Sequence, residues 1–153
     1  MTLRPLLILP ALFLLAGTAA AQERQWTLNA SDQDAYLIFG VPESDDVGIS
    51  MWCSIKTGVV NVFVPEAGQT LAANKTVSMT LEAGTAKASF KGKTEVNEEA
   101  GNTSLEAEVP ADHPIFAAIA KADRLRVRVG KDETVFPLFD ADVPGLLALC
   151  RKG

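Results

Sequence analysis

The stretch SMWCSIKTGVVNVFVPEAG, Ser50 to Gly68, holds one of the chain's two cysteines inside a segment whose apolar and polar residues alternate. Side chains two apart on a strand project to the same side, so Ile49, Met51, Cys53 and Ile55 share one face, the apolar one. Trp52 lies on the opposite face between Ser50 and Ser54. The intervening KTG is short enough for a hairpin with its glycine in the left-handed conformation, and VVNVFVP (59–65) then reads as the returning strand. A hairpin that turns its thiol inward sets the expectation for the rest of the chain.

Outward from this hairpin, the same alternation recurs. RQWTLNA (24–30) and AYLIFGV (35–41) precede it, while TVSMTLE (76–82), AKASFKGKTEV (86–96) and TSLEAEV (103–109) follow. RLRVRVG (124–130) and ETVFPLF (133–139) complete the set. Lys87, Lys91 and Lys93 share one strand face and Ser104, Glu106 and Glu108 another, which favours pairing of these two segments across the polar NEEAGN turn. Trp26, at strand spacing with Leu28 and Ala30, is expected in the core. The period changes at DHPIFAAIAKA, where Asp112 is placed to cap, Pro114 suits a first turn, and Ile115, Phe116 and Ile119 fall at helical spacing over about two to three turns. DADVPGLLALCRKG ends the chain as a short helix capped by Asp142, with Val143, Leu146, Leu147 and Cys150 on its apolar stripe.

Many half-buried strands joined by short turns predict a mainly β, antiparallel β-sandwich or partly open barrel of about nine strands with two short helices. A parallel sheet would need a helix between most strands. Both Cys53 and Cys150 point inward, and we expect them to join, linking the C-terminal helix to the sheet. Closing a loop of nearly 100 residues constrains the unfolded chain by about 4.7 kcal/mol at the upper end of the chain-entropy model. A structural staple is preferred to a redox role, because a reactive pair usually shows Cys-x-x-Cys spacing or an exposed, basic setting.

The N-terminal MTLRPLLILPALFLLAGTAAA has a basic start at Arg4, an apolar run from Leu6 to Ala16 and a small-residue exit. This predicts a signal peptide over 1–21, cleaved before Gln22, and a single β-rich domain over 22–153 in the periplasm or secreted. No lipid anchor is expected, because no cysteine stands at the cleavage site. The leader's apolar run is shorter than the roughly 20 apolar residues of a spanning helix and no later segment approaches that length, so no transmembrane segment is expected either. Residues 22–153 carry 13 basic and 19 acidic side chains, net −6, which argues against nucleic acid as a partner.

Two features invite a ligand. Arg124, Arg126 and Arg128 project together from one strand face, and such a row suits phosphate, sulfate or carboxylate. A solvated face neutralised by neighbouring acids is the plainer alternative. Trp52 offers a platform for a sugar ring or a partner protein if its face is open, though a tryptophan shielded by a neighbouring loop or helix is the commoner arrangement. Glu43, Asp45 and Asp46, with Asp32 and Asp34, supply oxygen ligands without EF-hand spacing and read as turn composition. His113 is the chain's one histidine, which excludes most zinc sites and histidine-based triads and suits a polar structural role at the helix start. No catalytic set, metal site or cofactor is therefore assigned.

FGVPESDD, SMWCSI, HPIFAAIAKADRLRVRVG and the closing LLALC together resemble small uncharacterised signal-peptide-bearing periplasmic proteins of Gram-negative bacteria. The resemblance implies the periplasm and carries no active residues. The expectation is an exported, non-catalytic binding or protein-interaction module for an envelope protein or anionic ligand. An inhibitor of a lytic envelope enzyme such as lysozyme, by analogy of fold class, and a carboxylate-based envelope enzyme are the alternatives.

Overall fold

The computed structural model describes residues 23–68, 71–98 and 101–153; the expected leader over 1–21 lies outside them. In chain order the elements are β1 (Gln25–Ala30), β2 (Asp34–Gly40), β3 (Val47–Ser54), β4 (Val59–Gly68), β5 (Thr76–Ala83), β6 (Ala86–Asn97) and β7 (Asn102–Pro110). Then come α1 (Pro114–Ile119), β8 (Arg124–Val129), β9 (Asp132–Pro137) and α2 (Val143–Cys150). Alternation produced these strands for a physical reason: residues one apart face opposite sides, so each strand buries its apolar set and wets its polar set.

The strands form one antiparallel sheet in the order β1-β2-β3-β4-β7-β6-β5-β8-β9, curled into a half-barrel. Of the two architectures anticipated, the partly open barrel is the one adopted. The first four strands make a meander, and the β3–β4 turn places Lys56 and Gly58 at positive φ. β7 returns beside β4, so β5 and β6 fill in behind it, and α1 carries the chain across them to reach β8.

Leu37, Met51, Val62, Leu105, Leu81 and Val127 are fully or nearly fully buried on the concave face. Two helices cover that face, α1 over β5 and β6 and α2 over β2 and β3. Phe116 and Ile119 of α1, and Val143 and Leu146 of α2, complete the core. Cys53 and Cys150 are wholly buried and form a disulfide with Cα atoms 5.7 Å apart, closing a sequence separation of 97. Main-chain bonds extend the link: Lys56 N–H donates to Leu149 O and Gly58 N–H to Cys150 O. The C-terminal helix is thus fixed to the β3–β4 turn by both covalent and hydrogen bonds.

The two ends of the sheet meet through side chains. Trp26, buried as expected, donates Nε1–H from β1 to the Pro137 carbonyl of β9 at 2.6 Å. Its ring lies 5.3 Å from Phe39, which packs edge-on to Phe136 at 6.0 Å. A Cβ on Gly48 would come within 3.2 Å of Phe136, so glycine lets β3 pass close beneath that ring.

α1 differs from expectation in two ways. It spans six residues, shorter than two turns, and its cap is His113 rather than Asp112. The residue before a proline is driven out of the helical region. His113 therefore stays extended at φ −60°, ψ 134°, and its Nδ1 accepts from Ile115 N–H. Asp142 caps α2 as expected, accepting from Gly145 N–H at 2.9 Å.

Replacing Trp26 by phenylalanine should leave the Pro137 carbonyl without its donor and lower stability by about 1–2 kcal/mol. Urea unfolding followed by circular dichroism reads this as a lower midpoint at unchanged slope. An unchanged midpoint would show that the seam does not depend on this bond.

Candidate functional site

With the concave face filled, the polar residues of every strand meet on the convex face. The arginine row lies there on β8, but its members differ. Arg128 holds Glu133 of β9 through Nε at 3.2 Å and Nη2 at 2.6 Å. Arg126 Nε also stands 3.2 Å from Glu133 Oε1, close enough for an ion pair though not aligned for a hydrogen bond. On the β5 side, Glu82 takes Lys87 at 2.9 Å and both arginines at 3.8 Å. Two carboxylates thus answer three cations, and the row is largely self-neutralised. Arg124, opposite Pro137, is exposed and has no ion-pair partner among the described residues.

The charges act on one another. Glu82 titrates below the ordinary glutamate range because Lys87 hydrogen-bonds its carboxylate, helped by the charges of Lys87, Arg128 and Arg126 against partial desolvation. Arg128 is pushed up by its hydrogen bond to Glu133 and by the charges of Glu82 and Glu133.

Trp52 occupies a different part of the same face. It is half-buried and stacked with Tyr36, its register partner on β2, at 5.9 Å and 17° between planes. Its Nε1–H donates to Glu106 Oε2 at 3.0 Å. Glu106 belongs to β7, two strand positions from β3, so the indole must reach across β4, a distance of roughly 10 Å at ordinary strand spacing. The ring is therefore laid along the sheet and fixed at both ends, by Tyr36 and by Glu106.

Beside this aromatic shelf is an open groove of about 430 Å³, lined by Phe63, Lys91, Lys93, Ser104, Glu106 and Glu108 among others. Lys93 is the register partner of Glu106, as the opposed charges on β6 and β7 anticipated, yet no ion pair forms between those lysines and glutamates among the described residues. A second depression of about 630 Å³ continues from it and shares Phe63, Glu95 and Ser104. Sequence reasoning missed Tyr36, Glu106 and this groove because they depend on strand order. The only available hint was that Tyr36 and Trp52 each face away from their strand's apolar side.

Of the remaining candidates, His113, Asp34 and Asp46 have structural partners. His113 caps α1, and its ring sits edge-on to Phe90 at 5.0 Å. Asp34 accepts from Ser54 Oγ at 2.8 Å, and Asp46 pairs with Arg24. No group of three His, Cys, Asp or Glu side chains among the described residues is arranged to hold a metal ion. No helix there is long and apolar enough to cross a membrane. No protein-family model, curated protein or solved structure matches the chain.

The lowered Glu82 pKa gives the pH response a sign. Its stabilising contribution is present above the unfolded glutamate pKa and is lost as pH falls through the lower, folded value. Carboxyl NMR titration should place Glu82 below an ordinary glutamate, and Lys87→Ala should move it upward. An unshifted midpoint in both proteins would remove Lys87 as the cause.

Proposed function

We propose that residues 22–153 act after export to the periplasm as a non-catalytic binding module that engages a partner protein through the Trp52 shelf. The observation that carries this reading is the indole held flat on the solvent side of the sheet by Tyr36 and Glu106. Fixed aromatic side chains lose little conformational entropy on binding, and tryptophan and tyrosine dominate protein recognition surfaces. The adjoining groove gives the shelf polar neighbours for specificity. An anionic ligand on the arginine row is less well supported, since Glu82 and Glu133 already occupy Arg126 and Arg128. Export accords with the leader pattern, with the resemblance to periplasmic proteins and with a fold containing a buried disulfide.

Affinity capture from envelope extract with the wild-type chain and a Trp52→Ala variant tests this assignment. A partner identified by mass spectrometry should then bind purified wild-type protein, and Trp52→Ala should weaken it by tenfold or more, about 1.4 kcal/mol. Equal affinity for both proteins, with the variant's disulfide and circular dichroism intact, would place recognition elsewhere.

A further inference from the structure

The depression beyond the shelf has a character of its own. Val47, Phe63, Pro65 and Val96 line it beside the uncharged Ser44, Asn97 and Ser104, and Val96 is 59% exposed although it is a β-branched residue on a strand. Asp45, Glu95 and Glu98 rim it. No lysine or arginine lines it among the described residues. The lysines of the face, Lys91 and Lys93, stand at the other end of the groove beside Glu106 and Glu108. The convex face thus grades from mixed charge near Trp52 to a depression of apolar and uncharged polar side chains whose charged members are all carboxylates.

We propose that this depression docks a basic, amphipathic segment of the partner, with an apolar side chain on Val96 and Phe63 and lysine or arginine side chains at the acidic rim. The inference rests on the protein-binding reading above and adds the chemistry of the partner. Charge complementarity selects the occupant: three carboxylates beside four apolar side chains, with no cation among the lining residues, favour a cationic polypeptide and repel an acidic one. They also disfavour a second copy of this chain, whose residues 22–153 carry net −6. Apolar side chains without the rim would bind with little discrimination, and a rim without them would bind only at low salt.

The test uses the exported, oxidised protein and three synthetic decapeptides: alternating Leu-Lys, alternating Leu-Glu and oligo-lysine. Calorimetry should show Leu-Lys binding at low salt, oligo-lysine at least tenfold weaker, and no Leu-Glu binding. An Asp45→Lys, Glu98→Lys variant should lose at least tenfold for Leu-Lys, whereas the same reversal at Asp32 and Asp112 should change affinity less than twofold. Equal losses from the two reversals would reduce the effect to net charge and overturn the proposal. So would Leu-Glu binding as tightly as Leu-Lys. Sedimentation showing a dimer that Val96→Lys disperses would assign the face to self-association instead. If a partner captured through Trp52 binds the Asp45→Lys, Glu98→Lys variant as tightly as wild type, this inference fails while the shelf assignment stands. Loss of no partner on Trp52→Ala, with the peptide results as expected, would separate the two in the other direction.

Discussion

The bond between Cys53 and Cys150 is the constraint on which the rest of this structure depends. It joins the inward face of a strand in the first meander to the final turn of the last helix, across a separation of 97 residues. A domain of this length that leaves one sheet curled but unclosed has a concave face it must cover, or else expose a continuous apolar surface to water. α2 covers the part of it formed by β2 and β3. Its eight residues would form no stable helix alone, since helices this short are marginal in water without tertiary packing. The covalent tie and the bonds from Lys56 and Gly58 to its last carbonyls keep it in place.

From this follows the division of labour between the two faces. The concave side is occupied by core residues and helices, and the seam between the sheet's ends is held by Trp26, Phe39 and Phe136. The convex side is left to solvent, where strand alternation had already placed the polar residues. That face is patterned. One end carries a charge network around Glu82 and Glu133, and the other carries the Tyr36–Trp52 pair and the groove beside it. Surface ion pairs contribute little to stability individually. The network's main consequence is to occupy the arginines that a bound anion would need.

Much of this was legible in the sequence because its signals are local. Period-2 alternation located the strands, the change of period at Pro114 and Val143 located the helices, and the facing of Cys53 and Cys150 gave their bond. β4 runs on to Gly68, beyond the alternating segment, because its pairing with β7 slips between Val64 and Gly68 and the alternation breaks there. The His113 cap was readable from the residue-before-proline rule, but the carboxylate of Asp112 drew the assignment one position early. Strand order was not legible, since β7 beside β4 is a long-range choice that no local pattern encodes. The partner of Trp52, 54 residues away at Glu106, was hidden for that reason; neutralisation of the arginine row by neighbouring acids was the plainer reading of the sequence, but not which residues of the two adjacent strands supply it.

Peptide mapping by mass spectrometry of the folded protein, purified under oxidising conditions and without prior reduction, reaches this constraint most directly. The account predicts one linked species joining the peptide that contains Cys53 to the peptide that contains Cys150, with no free thiol. Recovery of both cysteines as thiols from folded protein kept under oxidising conditions would contradict it, because α2 would then have no covalent hold on the sheet it covers.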